Sequence, residues 1–394
     1  MTKLVLYTEN YFPGGLERFI FDLLKSDMFE IHVIVNSENS RIIKFVQDNE
    51  INYTIIHLFG IRINTRKNSF YNKFVKMLNF FIYYISMFIN YFKIKSILKK
   101  LSNYTNIIIV NGGYPAALSS LSATVAAKRV AYKNVGLSIL SSPSPNYKYK
   151  AFCLFQLKID SYIDKYVDFY IPNSSKIKSE LISLLGIEPH KINVVYTGVD
   201  FEENIEKIET LKYSNGSIKK NGSDVWIAML GLLGSTKRQD IAIKAMAKLD
   251  KNFKLIIAGD GPDRNKLEKL VSSLNLENRV VFLGWIENTK DVYLFSDLVV
   301  FVSNQEGLPY VVSEAMSYKI PIIASAVGGI PEQVIDEKGG LLLNNNNEVE
   351  LAEKINALYT KKDSIQRYTE YSFTRLKEMF SVDAMYNKIL KLYQ

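Results

Sequence analysis

Cysteine occurs once and histidine three times in the 394 residues. The lone Cys153 excludes an internal disulfide, and so few thiol and imidazole groups exclude an ordinary Cys/His zinc site. No two aspartates stand two apart, so the chain lacks an Asp-x-Asp pair to hold a divalent ion on a diphosphate; neither a metal nor a cofactor is expected. No apolar run reaches the ~20 residues of a membrane-spanning helix. The opening MTKLVLYTEN turns polar too soon for a secretory signal, which points to the cytoplasm.

What is present is a globular mixture, 47% apolar and 23% charged, and its length suits two domains with a core each. Lys and Arg number 49 against 40 Asp and Glu. That excess attracts anionic small molecules, acidic membrane or nucleic acid alike. Nucleic acid is not expected, because outside Met77–Phe92 no basic stripe carries interleaved stacking aromatics.

Short Val/Ile/Leu runs alternate with helical stretches, the pattern of parallel sheets covered by helices on both faces. In the first half the expected strands are Leu4–Tyr7, Ile31–Val35, Thr54–Leu58, Asn106–Val110, Arg129–Tyr132, Asp168–Pro172 and Asn193–Tyr196. In the second they are Val225–Leu230, Phe253–Ala258, Val280–Leu283, Leu298–Ser303, Pro321–Ser325 and Gly340–Leu343. The polar segment Lys212–Ser223, KYSNGSIKKNGS, reads as an exposed loop near a domain junction.

Met77–Phe92 is sixteen residues without a charge, seven of them aromatic, flanked by Lys73, Lys76, Lys93, Lys95, Lys99 and Lys100. Two readings stand: a helix lying on a membrane surface, or a long domain helix with one buried face.

The densest chemical pattern is SNQEGLPYVVSEAMS, residues Ser303–Ser317. A buried strand leads into a loop holding Glu306 and Gly307, and Pro309 opens a helix carrying Glu314. Two carboxylates can then border one pocket at the C-terminal edge of a sheet. Backbone N–H groups of Gly307, Leu308 and the first helical turn can meet an anion. Carboxylates accept from paired hydroxyls and a helix start accepts phosphate, the two needs of a nucleotide sugar. The plainer alternative makes Glu306 a helix cap and Glu314 a surface residue.

A second turn, Gly231–Arg238, follows the strand Val225–Leu230 and brings Lys237 and Arg238 to the same edge, again suited to phosphate. It lacks the spacing of a P-loop. Gly259-Asp-Gly261 and Gly14-Gly15 are strand-to-helix turns whose glycines are weak signals by themselves. The three histidines and Cys153 read as structural.

On these residues the second half resembles the family 4 retaining glycosyltransferases, which have the GT-B fold. The resemblance runs through GLLGSTKRQDIAIKAM, LIIAGDGPDRNKLEKL, NRVVFLGW, SDLVVFVSNQEGLPYVVSEAMS and IASAVGGIPEQV, about residues 226–335. It is looser in the first half, through YFPGGLERFI, YIPNSSKIK and VVYTGVD.

The resemblance implies an α/β architecture of two Rossmann-like domains with parallel sheets facing across a cleft. An acceptor-binding domain would span 1–197 and a donor-binding domain 198–380, with 381–394 a C-terminal helix crossing back to the first. It implies that Glu306 meets the transferred sugar and Glu314 the ribose. Lys237 would neutralise the diphosphate, and Gly307 and Leu308 would offer N–H groups. Leu283 to Trp285 would border the base, and Gly15 would approach the diphosphate from the other domain. The family needs no metal.

Three positions depart from its pattern. Leu232 stands where an arginine is usual, with Arg238 the candidate replacement. Around the fifth strand, RVAYKNVG has no histidine, which leaves Asn134 as the acceptor-side candidate. Lys319 stands where glycine usually ends the Glu-x7-Glu helix, so that turn is expected to differ.

The expected activity is transfer of a hexose-type sugar, with retention, from a nucleoside diphosphate donor, UDP-linked. The acceptor would be a hydroxyl of a glycan or lipid-linked glycan in bacterial surface polysaccharide synthesis, with residues 73–100 touching the inner face of the plasma membrane. The rivals are a nucleotide-sugar 2-epimerase-like isomerase and a catalytically inactive membrane-associated binding protein.

Overall fold

The computed structural model describes residues 1–10, 14–60, 69–114, 117–143, 158–214, 216–286, 288–361 and 363–394. Side chains of residues 69–81 and 83 lie outside that description, as does Cys153. The chain divides into two compact units, Met1–Tyr196 with Tyr386–Gln394, and Thr197–Met385.

The first unit is built on β1 (Thr2–Thr8), β2 (Phe29–Asn36), β3 (Tyr53–Ile56), β4 (Asn106–Asn111), β5 (Asn134–Ile139) and β6 (Phe169–Pro172). They form one parallel sheet in the order β3-β2-β1-β4-β5-β6. The second unit repeats the order with β9 (Val225–Leu230), β10 (Phe253–Ala258), β11 (Val280–Gly284), β12 (Leu298–Phe301), β13 (Ile322–Ser325) and β14 (Leu341–Leu343), arranged β11-β10-β9-β12-β13-β14 and again parallel. Both are Rossmann-like sheets, whose strand order reverses beside the first strand of each and opens a crevice at the C-terminal ends. The central strands are apolar on both faces because helices cover both. All six residues of β4, NIIIVN, are buried.

Three expectations need correction. Arg129–Tyr132 is not a strand. The Ala/Ser-rich helix Leu118–Arg129 runs through Arg129 and closes with Ala131 left-handed at φ 69°; its fold-mate strand is β5. Asn193–Tyr196 is not a strand: its Asn193 and Val195 N–H groups donate to the Tyr170 and Pro172 carbonyls of β6, and the one bridge there, to Tyr170, is made by the preceding Ile192. Lys212–Ser223 is not a loop. It contains most of an antiparallel hairpin, β7 (Thr210–Tyr213) with β8 (Gly216–Lys219), inside the second unit, where Leu211 is buried.

Ala131 is exposed, its N–H donates to the Lys128 carbonyl, and the Tyr132 N–H donates to the Ala127 carbonyl. That is a Schellman closure made without glycine. Ala131→Gly relieves the left-handed strain at some cost in unfolded-chain entropy, so a gain of about 0.5–1 kcal/mol is expected. A denaturant midpoint equal to or below that of the wild type would contradict it.

The last helix, Val382–Leu392, gives its residues from Tyr386 onward to the first unit. There the Tyr386 hydroxyl donates to the Asp22 carbonyl, and the Tyr393 hydroxyl donates to the Ile107 carbonyl at 3.0 Å. Among the described residues no helix is long and apolar enough to cross a membrane.

Candidate active site

The chemistry-bearing residues of the second unit gather at the C-terminal ends of β9 and β12. After β9 the chain turns through Gly231–Arg238 into the helix Gln239–Met246. This turn rests on the one after β10. The Leu233 N–H donates to the Asp260 carbonyl at 3.0 Å, and a Cβ on Gly261 would stand 2.4 Å from the Leu233 oxygen. The turn's far end is tied to the loop after β12, where the Thr236 carbonyl accepts from the Asn304 N–H at 2.9 Å and the Ser303 hydroxyl at 3.1 Å.

That tie brings Lys237 against Glu306. Lys237 Nζ lies 2.5 Å from Glu306 Oε1 and 4.9 Å from the centroid of the Phe301 ring. The Glu306 side chain is 9% exposed and the Lys237 side chain 25%. Sequence reasoning assigned these two residues to different parts of a donor; in the fold they are an ion pair at the end of two neighbouring strands.

Arg238 is engaged elsewhere. Its Nε and one terminal nitrogen donate to the two Asp240 oxygens at 2.9 and 3.1 Å. These bonds to the Asp240 carboxylate hold the guanidinium above its ordinary pKa. Burial pushes the Asp240 carboxyl up, but the Arg238 hydrogen bonds and charge outweigh it and leave the carboxyl below its usual range. The expectation that Arg238 replaces the missing arginine therefore meets a competing carboxylate, while Leu232 presents an exposed apolar side chain.

The Glu306 loop is held from behind by the segment after β13. The Gly329 N–H donates to the Gly307 carbonyl at 2.6 Å. Gly328 has φ +60°, and a Cβ there would lie 2.1 Å from the Glu306 carbonyl oxygen. The fully buried Gln333 donates to the Pro309 carbonyl at 3.1 Å and to the Ser313 hydroxyl at 2.6 Å. Leu308 is buried, so its side chain is core and its backbone is what it can offer; Gly307 is half-buried.

Glu314 lies on the helix Tyr310–Ser317, buried, and accepts a short hydrogen bond from the Tyr293 hydroxyl. The alternative that made it a surface residue is thereby excluded. Tyr293 is itself buried and stacks on Tyr318 with ring centroids 5.2 Å apart. Lys207, whose pKa burial pushes down to about 8, donates to the Ser296 carbonyl at 2.9 Å beside the helix Lys290–Phe295 that carries Tyr293. The helix of Glu314 ends on Lys319 at φ 50°, with the Ile320 N–H on the Ala315 carbonyl. The left-handed turn expected to change is kept, and Lys319 adopts the glycine-like conformation.

Other candidates fall less favourably. Leu283 is buried, which leaves its backbone to face a base; Trp285, at 59% exposure, is open to solvent. Asn134 stands at the N-terminal end of β5, bonded to Asn106 Oδ1 at 2.8 Å. That is the edge opposite the crevice, because the strand begins there instead of ending at Tyr132. The chain leaves β5 at Leu140 and Ser141. Gly15 opens the helix Gly15–Leu24 in the first unit. Among the described residues no group of three His, Cys, Asp or Glu could hold a metal ion.

Sequence reasoning missed Tyr293, Phe301, Gly328 and Gln333. Only Gly328 had a signal, the Gly-Gly pair inside IASAVGGIPEQV; the others are distant in sequence from what they touch.

Residues 214–375 match the family described as glycosyl transferases group 1. An uncharacterised glycosyltransferase of Methanocaldococcus jannaschii is 32% identical over 186 residues, 45% of this chain and 47% of that one. Campylobacter jejuni has an α-1,4-N-acetyl-D-galactosaminyltransferase named for an undecaprenol-diphosphate-linked acceptor. It is 32% identical over 171 residues, 42% of this chain and 47% of that one. The chain spans about half the length of the curated relatives it matches. Over its whole length it superposes on Anabaena HepE, solved in complex with UDP, with TM-score 0.76 at 18% identity, covering 99% of both chains. That likeness is one of fold. Residues 214–375 thus resemble the glycosyl transferases group 1 family, and the chain that holds them has the GT-B fold.

Proposed function

We propose that the protein is a retaining, metal-independent glycosyltransferase. It would move a hexose-type sugar from a UDP-linked donor to a hydroxyl of a glycan or lipid-linked glycan, in bacterial surface polysaccharide synthesis. The observation that carries this reading is the Lys237–Glu306 pair at the C-terminal edge of β9 and β12. It puts a cation and a carboxylate where a sugar diphosphate presents phosphate on one side and hydroxyls on the other. The acceptor for which the Campylobacter relative is named and the UDP complex of the Anabaena neighbour support the acceptor and donor classes.

In the proposed reaction the bond from the anomeric carbon to the diphosphate oxygen breaks. The acceptor oxygen bonds to the same face of that carbon, and the acceptor proton passes to a donor phosphate oxygen. Lys237 would offset the charge growing on the leaving diphosphate, aided by N–H groups of Gly307 and Leu308. Glu306 would meet sugar hydroxyls and the positive charge developing on the ring. Glu314, oriented by Tyr293, would hold the ribose diol.

Incubation with a panel of UDP-sugars, with and without glycan acceptors, tests this. Release of UDP coupled to an acceptor product of retained anomeric configuration is expected. Conversion of the donor without acceptor would favour the isomerase, and absence of donor binding would favour an inactive binding protein.

A further inference from the structure

The aromatic helix Ser69–Lys100 has two distinct faces over its described side chains. Ser86, Asn90, Ile94 and Leu98 recur every four residues and are buried. Asn90 is pinned to the Phe59 backbone by two hydrogen bonds of 2.8 and 3.0 Å, and the Met87 carbonyl accepts from the Ser122 hydroxyl at 2.8 Å. This face supplies what a domain helix needs to pack.

The opposite face does not pack. Ile85, Phe88 and Phe92 are 54%, 65% and 54% exposed, at the i, i+3, i+7 spacing of one helical stripe. Lys95 and Lys99 prolong that stripe by two further turns. The helix carries six lysines and no acidic residue. Beside it, toward the helix Leu118–Arg129, a groove of about 440 Å³ is lined by Met87, Tyr91, Val125 and the exposed Tyr162, with Lys95 and Arg129 at its edge.

We infer that this face docks on an anionic lipid bilayer. Isoleucine and phenylalanine side chains would enter the headgroup boundary, while the lysines meet lipid phosphates. Charge decides against the simplest rival. A symmetric contact between two copies would set the same lysine-bearing face against itself, with no carboxylate on the helix to pair with it. An anionic surface satisfies the apolar stripe and the cations together. The inference deepens the proposed lipid-linked acceptor, on which its purpose rests, because docking would deliver the first unit to a membrane-borne substrate. The binding itself needs no turnover.

Flotation of the full chain with vesicles tests it. Strong binding is expected to phosphatidylcholine vesicles containing phosphatidylglycerol, and weak binding to phosphatidylcholine alone. Raising salt from ~0.1 to ~1 M should release the protein as the Debye length falls from about 10 to about 3 Å. Ile85→Ser/Phe88→Ser/Phe92→Ser should abolish flotation at an unchanged melting temperature, since all three side chains are solvent-exposed. Lys95→Gln/Lys99→Gln should weaken it about fivefold per lysine.

No flotation of the wild type with anionic vesicles would overturn the docking face, as would wild-type binding by the triple serine variant. So would a dimer of the wild type that the triple variant converts to monomer. Transfer to a soluble acceptor without vesicle binding would sink the docking face alone. Vesicle binding without transfer from any donor would sink the transferase reading alone.

Discussion

Lys237→Ala is expected to slow sugar transfer about 10²–10³-fold, the usual effect of losing one group that stabilises charge in the transition state. It should also destabilise the second unit. The ammonium sits 2.5 Å from the carboxylate of Glu306, whose side chain is 9% exposed, and removing it leaves that carboxylate without this partner in a poorly hydrated place. A cost of about 1–3 kcal/mol follows. Glu306→Ala should cost less stability, because the lysine it abandons is more exposed and can rehydrate, yet it should lower activity at least as much. In the double variant part of the lost stability returns, since no charge is left unpaired, while activity stays at the level of the worse single variant. Denaturant melts and initial rates of the four proteins measure both. Strictly additive stability losses would show that the contact carries no energy. Wild-type turnover in either single variant would remove the pair from the reaction.

Gly328→Ala is expected to cost activity far out of proportion to its size. The left-handed backbone alone costs alanine about 1 kcal/mol. The larger consequence is steric. The new Cβ would stand 2.1 Å from the Glu306 carbonyl oxygen and 2.7 Å from its carbonyl carbon, so the loop carrying Glu306 must shift. A displacement near 1 Å at a reacting group costs about 10²-fold in rate. Gly186→Ala is the control: its φ is +67° with no heavy atom within 4 Å, so it should show a similar strain penalty and no rate change. Equal rates for the two variants, measured on samples of equal folded fraction, would refute the claim that Gly328 positions Glu306.

Much of the architecture was legible because strands buried on both faces leave uninterrupted apolar runs. Val225–Leu230 and Phe253–Ala258 were placed to the residue in this way. Where sequence and structure part, a local pattern has lost to its surroundings. The apolar content of Arg129–Tyr132 suggests a strand, whereas β5 holds Gly136 and Ser138 inside a wholly packed sheet. The hairpin of β7 and β8 hid in a polar stretch because one buried residue, Leu211, suffices to seat it. Because β5 starts at Asn134, the acceptor-side candidate lies at the N-terminal edge of the sheet, away from the crevice.

At the site, residue types and spacing were enough to single out Lys237, Glu306 and Glu314. Strand-to-helix turns leave marks in a few contiguous residues, and the parallel topology sends all such turns to one edge. Which groups then meet was beyond any local pattern. The engagement of Arg238 by Asp240, the seat of Glu314 against Tyr293, and the backing of the Glu306 loop by Gly328 and Gln333 all depend on how separate segments pack. So does the division of the helix Ser69–Lys100 into an inward and an outward face, which its even spread of apolar residues conceals. Contacts between segments far apart along the chain are set by the joint packing of the whole domain, and no short window of residues encodes them.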